Sequence, residues 1–265
     1  MMDSFEVSPL NRSKLEPLFA ERRTARAVID AILEGNLGRA LADDSHSPRV
    51  ARLDLGCYSI FAGDVSSPLV EGWLREIPAP KELLFPDSEA WRSKIRSVHG
   101  PRLTDRSMQA FSARDLNRQK LIQLAAQLPS EFQTVPLDAP RAALLDTDLE
   151  PHALQVFESA EDFGRRGIGF CALQGEAIAS VASSYTISRR HLEIAISCHP
   201  AFRRRGLAKA VAARLLLHCL DHDLEPHWNA ANPISIHLAK SLGFQPSGIC
   251  EVLFLNRDSQ REDGQ

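Results

Sequence analysis

The sequence predicts a mixed α/β (α+β) fold: a mostly antiparallel sheet with flanking helices, preceded by a smaller α/β lobe. Three observations carry this. Apolar residues alternate with a two-residue period in several short stretches, and between these run segments of helical period. Glycine, asparagine and proline punctuate the joins. Pro129, Pro136 and Pro140 cluster in a segment that resists helix and inner-strand structure, and so marks a boundary. The expected organisation is a lobe over 1–128, a linker over 129–142, a second domain over 143–256 and a polar tail over 257–265.

Bulk properties narrow the function classes. A chain of 265 residues accommodates two domains. Its hydrophobic fraction of 44% and charged fraction of 25% are those of an ordinary globular protein. The formal net charge of −3 gives no basic footprint for nucleic acid. The five cysteines, Cys57, Cys171, Cys198, Cys219 and Cys250, form no C-x-x-C pair and are expected as buried free thiols in a reducing compartment. The N-terminus lacks a charged region followed by an apolar run, so no secretory signal is expected. No apolar run approaches the ~20 residues that span a bilayer. A cytoplasmic protein without membrane partners is expected.

In the first half, residues 12–34 have the spacing of one amphipathic helix, ended by Gly35-Asn-Leu-Gly38. Arg22, Arg23 and Arg26 are expected on its solvated face. Arg39–Leu41 and Val50–Ala62 are expected strands, separated by the polar turn Asp43–Pro48. Ser66-Ser67-Pro68 reads as a cap leading into a helix over Leu69–Ile77. Glu82–Phe85 (strand), Ser88–Val98 (helix), Arg102–Phe111 (strand) and Ala113–Leu128 (helix) follow. None of these segments carries a chemical motif, and the role of this half is not readable from sequence.

The second half carries the motifs. Ser159-Ala-Glu-Asp162 matches a capping box for a short helix ending at Gly164 or Gly167. Ile168–Leu173 and Ala177–Ser184 form a hairpin about Gln174-Gly175-Glu176. His191–Cys198 continues the meander, with Leu192, Ile194 and Ile196 on one face and Glu193, Ala195 and Ser197 on the other. Pro200 ends that strand, and Arg203-Arg-Arg-Gly206 opens a helix whose apolar face is Leu207, Val211, Leu215 and Cys219. Pro226–Asn229 is a short strand. Asn232-Pro233 then caps a helix ended at Leu242 by Gly243, before a last strand over Gly248–Leu255.

Helix-opening N–H groups lack intrahelical partners and sit at the positive end of the macrodipole. A glycine among arginines at that point makes a phosphate site. On these grounds alone, any phosphate-bearing ligand fits Arg203–Ala208. The order of elements is more selective. Three strands, Arg203-x-x-Gly206-x-Ala208, a helix, a strand and Asn232-x-x-Ser-x-x-Leu-Ala-x-x-Leu-Gly-Phe244 together resemble the GNAT superfamily of acyl-CoA-dependent N-acetyltransferases over roughly 143–256. The whole layout is similar to bacterial members with an N-terminal extra lobe.

That resemblance implies acetyl-CoA as acyl donor, an amine acceptor and direct attack in a ternary complex. It implies a coenzyme arm lying along backbone near Ile196 and Cys198, where the strands of His191 and His227 splay. A pyrophosphate would then sit on the amides of Arg204, Arg205, Gly206, Leu207 and Ala208, with charge from Arg203 or Arg205 and with Asn232 nearby. Glu193 stands where several members of the superfamily carry a general base; its other reading is an outward carboxylate paired with Arg189 or Arg190. Position 239, where many members have a tyrosine acid, is alanine, and Tyr58 and Tyr185 do not match it. Ala239 therefore keeps open a catalytically silent acyl-CoA-binding or regulatory module. The front lobe would shape the acceptor site or a homodimer. His218, His222 and His227 with Cys219 could suggest zinc, but His218 and His222 border an apolar packing face near a helix end, where solvated or capping histidines are favoured. No metal is expected.

Overall fold

The structure is a computed structural model describing residues 5–77, 83–145, 149 and 154–256. The expected tail, 257–265, lies outside the described residues. The chain forms two compact units, Met1–Ser107 with Cys250–Gln265, and Met108–Ile249. The division therefore falls after Ser107, not in the proline-rich segment, and Cys250–Leu255 group with the first unit.

The first unit contains β1 (Phe5–Glu6), a 3-10 turn (Pro9–Leu15), α1 (Glu16–Phe19), α2 (Arg26–Leu33), β2 (Arg39–Ala42), β3 (Val50–Leu55), β4 (Tyr58–Gly63), α3 (Leu69–Arg75), β5 (Leu83–Phe85) and α4 (Glu89–His99). The single helix expected over 12–34 is broken between Phe19 and Arg26, where Ala25 takes a left-handed φ of 58°. Arg23 is exposed as expected, but Arg22 and Arg26 are half-buried and engaged. Arg22 donates to Pro86 O at 2.7 Å, and Arg26 pairs with Glu16 at 2.8 Å and with Asp30. The long strand over Val50–Ala62 is a hairpin, β3 paired with β4 through the left-handed Gly56. The expected serine cap on α3 is replaced by Pro68, with no side-chain cap bond, and Ser66 Oγ instead donates to Asp64 Oδ1 at 2.6 Å.

The second unit begins within β6 (Leu103–Ser112), continues through α5 (Arg118–Ala126), β7 (Gln133–Pro136), α6 (Ala139–Ala142), α7 (Ala160–Arg166), β8 (Gly169–Gln174), β9 (Ala177–Ile187), β10 (His191–Cys198), α8 (Leu207–Asp221), β11 (Glu225–Ala230) and α9 (Pro233–Leu242), and ends within β12 (Gln245–Leu255). The capping box holds: Ser159 Oγ accepts from Asp162 N at 3.2 Å. The proline-rich segment is part of the domain, since β7 pairs antiparallel with β8 from Gln133↔Leu173 to Pro136↔Phe170. Pro136 is tolerated because β7 is an edge strand, where a missing N–H breaks no ladder.

Strand order in this unit is β6-β11-β10-β9-β8-β7, antiparallel except for β10 with β11. Helix α8 packs on β8, β9 and β10 and is backed by α5. It is buried nearly all round, with Ala210, Ala212, Ala213, Leu216 and Leu217 buried beside the expected Leu207, Val211, Leu215 and Cys219. Each buried leucine contributes about 1.5–3 kcal/mol, so the helix that follows the basic loop is firmly seated.

The same order of elements occurs in the first unit. There β2, β3 and β4 form an antiparallel meander, α3 crosses over, and β5 returns parallel to β4. No described helix is long and apolar enough to cross a membrane.

Candidate active site

The site is made by a divergence of two parallel strands. β10 and β11 are in register only at His191↔Glu225, Leu192↔Pro226 and Glu193↔His227. Beyond that point β10 stays with β9 through Cys198, while Trp228, Asn229 and Ala230 of β11 pair with β6. Between the separating strands opens a cavity of about 650 Å³.

Ile196, Cys198, Arg203, Arg204, Gly206, Leu207, Ala208 and Asn232 all line this one cavity. Arg205 does not line it. Its guanidinium lies 4.0 Å from Glu131 and 5.9 Å from the Phe202 ring, because the loop geometry turns it outward. Ser235, the serine of the Asn232-x-x-Ser motif, and residues with no sequence signal complete the lining: Lys209, Trp228, Asn229 and His237 among them.

The basic loop has the conformation its sequence suggests. Arg204 and Gly206 both take left-handed backbone, with φ of 65° and 82°. A non-glycine residue held there is sterically costly and clusters at ligand-binding turns. Gly206 caps α8 without any side-chain bond, so the first N–H groups of the helix stay available. A Cβ added to Gly206 would meet nothing within 4 Å, so the space before the helix is open to a ligand. Arg203 Nε donates to Cys198 O at 3.2 Å, tying the loop to the end of β10. Asn232 caps α9 by accepting from Ser235 N at 2.9 Å.

Glu193 lies at the vertex where the strands part. It is 5% exposed and does not pair with Arg189 or Arg190. Asn229 Nδ2 donates to its Oε1 at 3.1 Å, while Oε2 has no hydrogen-bond partner among the described residues. Burial pushes the carboxyl up to about 7, against the Asn229 hydrogen bonds, which favour the charged form. A carboxyl titrating near neutrality can both take and return a proton. Buried and held by Asn229, the carboxyl is not the outward one paired with Arg189 or Arg190 that the sequence also allows.

The cavity wall formed by α9 carries no tyrosine. Ala239 is fully buried, Tyr185 lies on β9, and Tyr58 stacks on Phe85 in the first unit. Trp228 Nε1 donates to Ser235 Oγ at 2.9 Å, which leaves that hydroxyl's own proton free. The histidines considered for zinc are not assembled around a common point. His227 meets the His191 ring at 5.0 Å, and His218 stacks on His222 at 4.0 Å with Cys219 buried in the core. Among the described residues no group of His, Cys, Asp and Glu could hold a metal ion.

A meander whose third strand runs parallel to a fourth, parting over a helix-opening basic loop, is the sheet of an acetyltransferase. The profile of the GNAT acetyltransferase family matches residues 16–253, and the chain belongs to that family. It is similar to an uncharacterised N-acetyltransferase, YdfB, of Bacillus subtilis, at 25% identity over 91% of this chain and 94% of that one. Among solved structures it is similar to a GCN5-related N-acetyltransferase-like protein of Streptococcus suis, with a TM-score of 0.80, 26% identity and coverage of 92% and 98%. A GCN5-related N-acetyltransferase of Kribbella flavida shares the fold, with a TM-score of 0.54, 14% identity and coverage of 79% and 87%.

Proposed function

We propose that this acetyltransferase moves the acetyl group of acetyl-CoA to an amine, with both substrates bound together in the second unit. The observation that supports it most is the continuity of one cavity from the Gly206 cradle to Asn229, whose side chain touches Glu193. A phosphate fits the cradle because three features coincide there: open N–H groups at the start of a 15-residue helix, a glycine without neighbours, and Arg203, Arg204 and Lys209 around it. Acetyl-CoA supplies an activated thioester carbonyl.

The chain's own residues then have these tasks. The backbone of Ile196 and Cys198, on the edge of β10 that β11 leaves and with Cys198 O already accepting from Arg203, aligns an extended arm as an added strand. Glu193, raised by burial to about 7 and so ionised above neutrality, takes the proton that the acceptor ammonium must lose before its nitrogen can attack. As nitrogen bonds to the carbonyl carbon the C–S bond breaks, the sulfur leaves with the electron pair, and the surplus proton on the acylated nitrogen passes to that sulfur to give the free thiol. Ser235, with its oxygen engaged by Trp228, presents its proton toward that departing sulfur in place of a tyrosine at position 239.

The test is release of free thiol from acetyl-CoA with a panel comprising a polyamine, an amino acid, an aminoglycoside and a peptide with a free N-terminus. Amine-dependent release above the rate without amine is expected. Tight acetyl-CoA binding without turnover on any acceptor would favour the silent module suggested by Ala239.

A further inference from the structure

Strand β9 and the turn that follows it carry a row of buried hydroxyls, and they fall into two sets. Ser180 Oγ donates to Ser197 O at 2.7 Å, Ser184 Oγ accepts from Ile168 N at 3.0 Å, and Ser188 Oγ accepts from His191 N at 2.9 Å. These hold the sheet and its turn together. Ser183 and Thr186, both fully buried, have side-chain oxygens with no hydrogen-bond partner among the described residues.

The register explains why these two stand apart. Ala195 pairs with Ser183 and Ile194 with Ser184, but Glu193 pairs with Thr186, so Tyr185 is an extra residue on β9. Cross-strand partners share a face, and Glu193 and Ala195 share one on β10. The bulge therefore puts Thr186 and Ser183 on the same face as Glu193, although in a regular strand residues 183 and 186 would point oppositely. Three unpartnered polar atoms, Glu193 Oε2, Thr186 Oγ1 and Ser183 Oγ, lie on adjacent positions of that buried face. Buried polar groups left without partners in the chain are the groups that bind internal water or a polar ligand. Glu193, Thr186 and Ser183 are all absent from the cavity lining, which reaches Glu193 only through Asn229, so a proton from the cavity needs a carrier to reach this face.

We infer that Thr186 is a positioning residue for Glu193: its hydroxyl and Glu193 Oε2 hold one buried water, with Ser183 bordering the same space, and that water carries the proton from the acceptor amine. The amine N–H bond breaks with its electron pair left on nitrogen. The proton passes to the water oxygen while another proton of that water passes to Glu193 Oε2. This rests on Glu193 being the base. The titratable or charged groups flanking it are His191 on its own strand, His227 and Glu225 on β11, and Arg189 and Arg190 in the turn before it.

The test uses the full chain with carbon-13-labelled glutamate, following the Glu193 carboxyl by NMR titration in wild type, Thr186→Val and Thr186→Ser. Valine keeps the shape and removes the hydroxyl. The midpoint is expected to rise in Thr186→Val and to return in Thr186→Ser, because a bond to the charged form has been lost and restored. The acid limb of amine-dependent thiol release should move the same way, with KM for acetyl-CoA unchanged. An unmoved midpoint in Thr186→Val would overturn the relay alone. Full turnover in Glu193→Gln would overturn the base assignment and the relay with it. A high-resolution crystal structure in which Thr186 Oγ1 bonds directly to Glu193 Oε2, with no water between, would overturn the carrier.

Discussion

Asn229 reaches across the point where β10 and β11 part, and its Nδ2 meets Glu193 Oε1 at 3.1 Å. One residue thus faces the cavity and steadies the buried carboxyl at its end. Because this contact favours the ionised form, removing it must raise a pKa that burial already lifts to about 7. In Asn229→Ala the acid limb of the pH–rate profile is expected to shift upward. The rate near pH 7 should fall and be recovered at more alkaline pH. A profile whose limb stays in place would separate Asn229 from the titration of Glu193.

Burial of Glu193 also predicts a stability effect with a definite sign. Its folded pKa of about 7 lies above the ordinary value of 4.5, so between those limits the folded chain binds the extra proton. Stability contributed by this group therefore falls as pH rises from 4.5 to about 7 and is level above it. Glu193→Gln removes that slope, and above neutrality it should be the more stable protein, by on the order of a few kcal/mol. Thermal melts of both proteins across this pH range check the difference. Parallel curves would mean that the carboxyl is not buried as described.

Ser235 is expected to serve the leaving sulfur. Ser235→Ala should lower kcat by about ten- to a hundredfold, the worth of one hydrogen bond to a charge, with little change in acetyl-CoA affinity. Steady-state kinetics with acetyl-CoA and the most active panel amine measure the split. A rise in KM with unchanged kcat would make Ser235 a binding group only.

The first unit repeats the strand order of the second but not its opening. Phe61 stacks on Trp91 at 5.1 Å, and Trp91 Nε1 donates to Gly63 O at 2.8 Å, so the end of β4 is filled by aromatic side chains. The turn from Gly63 to Pro68 carries no arginine, and its serine and aspartate side chains bond to one another. One coenzyme per chain is expected in a calorimetric titration. A stoichiometry of two would show that the first unit binds as well.

Legibility followed locality. The loop Arg203–Ala208, the caps Ser159 and Asn232, and Gly243 were readable because each is a short signal for a local backbone conformation. Gly56 is local too, yet the apolar run around it hid a hairpin. Arg22 and Arg205 were misplaced because a long cation's partner is set by residues distant in sequence, Phe85 and Pro86 for one and Glu131 for the other. The proline-rich segment proved to contain a strand, since its edge position made Pro136 harmless. Asn229 and Thr186 lacked any signal. Their place beside Glu193 arises from cross-strand register, and the bulge that sets Thr186 opposite Glu193 shifts the very period a sequence pattern relies on.

The central claim is that the Gly206 cradle holds the pyrophosphate of a coenzyme A ester. Calorimetric titration of acetyl-CoA against wild type and Gly206→Asp tests it most directly. A Cβ at this position meets no protein atom, so the added carboxylate stands in the space assigned to phosphate, although the φ of 82° also strains any side chain there. Wild type is expected to bind, and Gly206→Asp to lose roughly a hundredfold or more in affinity through repulsion and loss of the N–H contacts. Equal affinity in the two proteins, with an unchanged fold by circular dichroism, would contradict the account.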